Sequence, residues 1–160
     1  MNKQSLAVLV VLALGGGIAA EALAQANPNQ LIANRKGAMN VQAKYFGPVL
    51  GMSLGRVPYD VKIVQRNVEY LTLLTQLPWD DFQPHTAGNP NTRSKEDVYK
   101  DPAKFKAGIE KMQAEVQKLA AVVRAGGDQS AVKPAVQAVG RCCNSCHEAF
   151  ATFEYRFPVE

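Results

Sequence analysis

Toward its C-terminal end the chain carries Cys143-Asn144-Ser145-Cys146-His147, and the two cysteines lie on a periodic apolar line. Val132, Val136, Val139, Cys143, Cys146, Phe150, Phe153 and Phe157 recur at alternating spacings of four and three, the mark of one buried helical face. Both cysteines therefore occupy successive core positions and are expected to project into the interior of a bundle. His147 follows Cys143 by four residues and sits beside the same face. A helix that must bury reactive thiols in its own core stripe leaves few architectures open.

The order Cys-x-x-Cys-His is the attachment signature of haem c. The two thiols add across the haem vinyl groups as thioethers, and the adjoining imidazole is offered to the iron from one side. A dithiol redox pair would leave the histidine without a purpose. A zinc site needs four ligands, with only Cys142 and the distant His85 to complete it. Cys143, Cys146 and His147 are therefore read as the haem c site, with His147 as the metal ligand. Cys142 is read as a small buried residue of the same helix.

The other end of the chain agrees. Met1-Asn2-Lys3 starts with a positive charge, the apolar run Leu6 to Ala20 follows, and Ala22-Leu23-Ala24 presents the small residues that a signal peptidase reads. The run is too short for the ~18–20 residues that span a bilayer, and Gly15, Gly16 and Gly17 weaken it as a helix. Residues 1–24 are read as a secretory signal peptide, with cleavage as late as residue 26, and residues 25–160 as one haem-binding domain. A periplasmic location follows, with no membrane attachment after cleavage. The formal charge of +4 discriminates little. No basic run with interleaved aromatics is present, so a nucleic-acid partner is not expected.

Four helical stretches can be followed. Asn27-Pro28 opens the first as cap and first-turn proline, and Ile32, Arg35, Met39, Gln42, Phe46 and Val49 form its stripe over about 23 residues, ending at Gly51 and Gly55. Arg35 on a core-facing stripe calls for a partner. Pro58-Tyr59-Asp60 starts the second, with Val61, Val64, Val68, Leu71 and Leu74 on one face. Residues 78–100 form one long connection without clear periodicity, in which Trp79 and Phe82 are apolar anchors and His85 is solvated. Asp101-Pro102 begins the third, with Phe105, Ile109, Met112, Val116, Leu119 and Val123, and Gly126-Gly127 closes it. Asp128 or Ser130 caps the fourth, whose start Pro134 is expected to distort or delay.

Taken together, Arg35 and Met39 before Phe46-Gly47, Pro58-Tyr59-Asp60, Leu77-Pro78-Trp79 with Phe82, and the attachment motif near the C-terminus resemble the cytochrome c′ family. That resemblance implies an all-α, antiparallel up-down-up-down four-helix bundle with haem c covalently bound in the core. It implies Arg35 near the haem propionates, Met39 on the distal side, a diatomic gas such as nitric oxide or carbon monoxide as ligand, and a homodimer formed through the first two helices. The chain departs from the family pattern at Lys36, where glutamine is common, and at Ala151, where a basic residue usually follows the axial histidine. Its tail from Phe153 to Glu160 is also longer and more aromatic than expected.

Met39 divides the functional readings. If it only blocks the distal face, the haem is five-coordinate and high-spin, and the protein binds gas, carries single electrons to a redox partner, or does both. If its thioether reaches the iron, the protein is a low-spin six-coordinate electron carrier. A haem peroxidase would need a distal base beside an arginine, and only His85 is left to supply one, so the chain is not expected to be an enzyme.

Overall fold

A computed structural model describes residues 26–153 and 156–159; the leader assigned to residues 1–24 lies outside the described residues. Asn27 opens α1 (Pro28–Ser53) by accepting the Asn29 N–H at 2.9 Å, with Pro28 where no N–H is required. α1 runs to 26 residues rather than about 23, because Gly51 stays helical. The neighbouring Val49, Leu50 and Met52 are all buried, and that packing outweighs the ~1 kcal/mol that glycine costs a helix. The turn after the helix is made at Gly55, whose φ of +71° favours glycine.

Asp60 caps α2 (Val61–Leu74) by accepting the N–H groups of Lys62 and Ile63. The long connection has more structure than its sequence suggests. Two short 3-10 turns, Trp79–Asp81 and Pro84–Thr86, precede the single helical turn α3 (Asp97–Lys100). Asp101 then caps α4 (Pro102–Arg124), and Asp128 caps α5 (Gln129–Phe150) by accepting the Ala131 N–H at 2.9 Å. This bond and one from the Ser130 hydroxyl hold the Asp128 carboxyl below its ordinary range. α5 thus begins directly after its cap, and Pro134 neither delays nor replaces that start. Pro134 and Ser130 are both exposed, so the carbonyl that loses its intrahelical donor is open to hydration.

α1 packs on α2, α2 on α4, α4 on α5, and α5 closes back on α1. This is the up-down-up-down four-helix bundle, with consecutive long helices as neighbours. One large apolar cluster fills it, with Phe46 and Val49 from α1, Val64 and Val68 from α2, Val116 and Leu119 from α4, and Val132, Val136 and Val139 from α5. Gln42, a polar member of the α1 stripe, spends both amide hydrogens on the carbonyls of Leu74 and Leu77, and so closes the C-terminal end of α2.

The apolar stripe of α5 does not continue as helix beyond Phe150. The Lys95 N–H bonds the Phe150 carbonyl at 2.8 Å, Ala151 bridges to Ser94, and the Thr152 N–H bonds the Arg93 carbonyl at 2.9 Å. These pairings with the connection turn the chain out of its helix. Phe157 still reaches the core, but on a returning segment whose ring meets Phe46 edge-on at 5.0 Å.

Leu119 is fully buried, whereas Leu73 on α2 is 68% exposed. Leu119→Ala is expected to cost about 2–5 kcal/mol in urea unfolding of the haem-loaded protein, whereas Leu73→Ala should stay within about 0.5 kcal/mol.

Candidate functional site

The attachment motif occupies the last two turns of α5, where two apolar clusters meet. Cys143 packs against the main cluster. Cys146 packs against a second one, built on Val98, Phe105 and Phe150 with Trp79, Phe82 and Tyr99 around them. All three cysteines are free thiols, so neither motif cysteine is committed to a disulfide. Burial, reinforced by the two neighbouring thiols, pushes the Cys143 thiol up to about 12, and burial also raises Cys146. Cys142 is buried and its thiol is likewise raised by burial.

His147 is half-buried at the outer edge of this line. Its ring lies 5.1 Å from that of Phe153, with the planes inclined by 51°. Beside it opens a pocket of about 250 Å³ walled in part by Lys95, Asn144, Glu148, Phe153 and Arg156. The basic residue absent at position 151 thus has counterparts in space, since Lys95 and Arg156 bring cations to the same pocket from other segments.

Arg35 is the buried charge of the site, only 4% exposed. Its guanidinium donates to the Tyr99 hydroxyl at 2.9 Å and to Thr92 Oγ1 at 3.4 Å, and it lies over the Phe82 ring at 4.5 Å. Tyr99 is held in turn by the Thr86 hydroxyl at 2.7 Å. Among the described residues Arg35 has neutral partners only. A guanidinium carries five donors, and a buried cation that lacks a counter-charge is poised for an anion.

Of the sequence-derived residues, Cys143, Cys146 and His147 are adjacent on α5. Arg35 joins them through aromatic contacts, as the Phe82 ring tilts against Phe105 at 4.9 Å and Phe105 meets Phe150 edge-on at 5.1 Å, beside Cys146. Met39 is half-buried on α1, one turn beyond Arg35 on the same side of the helix. His85 stands apart, exposed, with its Nε2 3.1 Å from the Ala26 carbonyl oxygen. Tyr99, Thr92 and Asn144 were not singled out by sequence. A buried arginine signals that partners exist, but no local pattern says which residues 57 and 64 positions away they are.

The donor set fits a covalently held haem. Two unpaired thiols three residues apart face apolar clusters, an imidazole follows at once, and a buried cation with spare donors lies across the same aromatic cluster. These features define a c-type haem protein built on a helical bundle. The family model described as cytochrome c′ matches residues 30–151. The chain belongs to the cytochrome c′ family, whose cofactor is covalently bound haem c. It is 36% identical over 123 residues to the cytochrome c′ of Rubrivivax gelatinosus, covering 77% of this chain and 95% of that protein. The crystal structure of that relative superposes with a TM-score of 0.73 at 35% identity, over 78% of this chain and 96% of the other. A nitric oxide complex of a variant Alcaligenes xylosoxidans cytochrome c′ gives a TM-score of 0.73 at 32% identity, over 81% and 98%. Among the described residues, no helix is long and apolar enough to cross a membrane.

The enclosure of Cys143 can be read chemically, because only the thiolate reacts with alkylating reagents. With its thiol raised to about 12, Cys143 of the folded haem-free chain should be labelled by iodoacetamide at pH 8 about a thousandfold more slowly than in urea. Peptide mapping resolves the position, and equal rates in the two states would show the thiol to be open.

Proposed function

We propose that this is a periplasmic cytochrome whose haem iron is five-coordinate and high-spin, and that it binds nitric oxide or carbon monoxide, passes single electrons, or does both. The observation that carries this reading is the joint placement of two enclosed thiols and His147 on α5, with Arg35 buried across the same aromatic cluster. When bound, the haem supplies an iron that takes up one electron or one small neutral ligand.

The chain's own residues set the conditions. Cys143 and Cys146 tie the group to a helix whose other buried side chains are locked in the core, so its position is set by packing. His147 offers a nitrogen from the outer edge. Arg35, fixed by Tyr99 and Thr92, would hold a haem propionate. Its charge favours the reduced, more electron-rich state of whatever it faces. Met39, a flexible thioether on α1, would serve there as a steric plug that a small neutral molecule could displace. A neutral diatomic ligand is supported by the relative solved as its nitric oxide complex.

The reading includes no enzymatic turnover. Peroxide cleavage asks for a base beside the arginine; His85 turns instead to the Ala26 carbonyl, and Arg35 is engaged by hydroxyls. A homodimer through α1 and α2 is part of the proposal. Val41, Val61, Tyr70 and Leu73 are exposed apolar side chains on those two helices, and Leu77 is exposed just beyond α2, apolar surface that a partner could cover.

The test is the absorption spectrum of the ferric and ferrous protein, with and without nitric oxide. A ferric spectrum without a methionine–iron charge-transfer band is expected, and Met39→Ala should speed gas binding about tenfold or more, the equivalent of removing ~1.4 kcal/mol of steric cost. A methionine–iron band that disappears in Met39→Ala would replace this reading with the six-coordinate electron carrier.

A further inference from the structure

The family match ends at residue 151, but residues 157–159 beyond it are anchored. Gln137 donates to the Val159 carbonyl at 2.9 Å. Asn144 accepts the Phe157 N–H at 2.7 Å and donates to the Phe157 carbonyl at 2.9 Å, which makes a two-bond clasp on one residue. Between these anchors Gly140 leaves room for Val159, whose Cγ1 would collide with a Cβ there. Gln137, Gly140 and Asn144 are spaced three and four apart, so one face of α5 is fitted to the tail. Asn144 lies inside the attachment motif itself, next to Cys143.

The beginning of the same tail passes His147. Phe153 sets its ring 5.1 Å from the imidazole, and the Arg93 guanidinium covers Phe153 at 5.7 Å. The Thr152 N–H, bonded to the Arg93 carbonyl at 2.9 Å, holds the backbone in place for that contact. Phe153 is thus held between a cation and the imidazole. Phe153 and Arg156 supply walls of the pocket beside His147, and Arg156 reaches Glu148 of α5 at 3.6 Å.

We propose that residues 152–153 and 156–159 form a proximal cover, in which Phe153 is a positioning residue that fixes the His147 imidazole plane and keeps water off it, while Asn144 clasps the cover to the attachment helix. An imidazole between helix and aromatic ring has one preferred rotation about its side-chain bonds, whereas one facing solvent samples several. The inference rests on His147 as the haem ligand.

The experiment uses the haem-loaded protein and three variants, Phe153→Ala, Phe153→Tyr and Asn144→Ala. Mass spectrometry first establishes attached haem in each. Proton NMR of the ferric state then follows solvent exchange of the His147 ring N–H and the spread of the hyperfine-shifted haem methyl signals, which depends on the imidazole plane. Phe153→Ala and Asn144→Ala should each accelerate ring N–H exchange roughly tenfold or more and alter the methyl spread, whereas Phe153→Tyr should restore both. Unchanged exchange and methyl spread in Phe153→Ala and Asn144→Ala, with haem attached, overturn the proposal. A mass without haem overturns the reading of His147 beneath it, so the two failures are distinguishable. Phe153 is half-buried and outside the main core, so Phe153→Ala should fold even if the Asn144 variant is destabilised.

Discussion

The packing of α5 between α4 and α1 is the constraint on which the rest of this molecule depends. A helix in that place must bury Val132, Val136 and Val139 in the main cluster, and burying them fixes its rotation about its own axis. Once that rotation is set, Cys143 can only meet the main cluster and Cys146 only the second one. His147 then falls at the edge, where its ring can serve as a ligand. The reactive groups are thus aimed by valines one to four turns away, and a haem bound there inherits the rigidity of the core rather than that of a loop. The same enclosure that positions Cys143 raises its thiol to about 12.

Arg35 shows how the long connection enters the site. A buried guanidinium is costly unless its donors are used, and here two of the five are met by Tyr99 and Thr92, both from residues 78–100. Trp79 and Phe82 press the same segment onto Phe105. The connection is thus held down at one end by aromatic packing and at the other by hydroxyls on a cation. Its Thr86–Tyr99 bond keeps the hydroxyl aimed at Arg35 rather than at water. A loop pinned in this way excludes solvent from the second cluster and lowers the local dielectric around the charge, which strengthens the pull of Arg35 on an anion.

Much of this was legible in the residues themselves, for physical reasons. Asp60, Asp101 and Asp128 announce helix starts because a carboxylate next to free N–H groups has no better local option. Cys143 and Cys146 are doubly marked, once by chemical signature and once by helical period. The end of α5 was not legible. Phe153 and Phe157 keep the three-four rhythm of the stripe, yet backbone pairing of residues 150–152 with Arg93, Ser94 and Lys95 competes with the helix and wins. That partner segment lies more than fifty residues away, where no local pattern can register it. Likewise Arg35 declares that it needs partners without saying that they are Tyr99 and Thr92. Periodicity records which face is buried; it does not record what arrives from a distance to cover it.

The two sides of the site are closed by elements of different character. Met39 stands on α1, a 26-residue helix locked by Val49 and Phe46, so its backbone is rigid and access on that side depends on rotation of one unbranched side chain. On the other side His147 is covered by a returning segment held through Asn144, Gln137 and the Arg93 contact. On the proposed reading, a ligand approaching past Met39 would meet a fast, local gate. Displacing the cover from His147 instead requires several bonds to yield together, along with withdrawal of Phe157 from Phe46. On the proposed reading the asymmetry gives the molecule a readily displaced face and a guarded one, and it follows from the segment that pairs with α5 as much as from how the bundle is built.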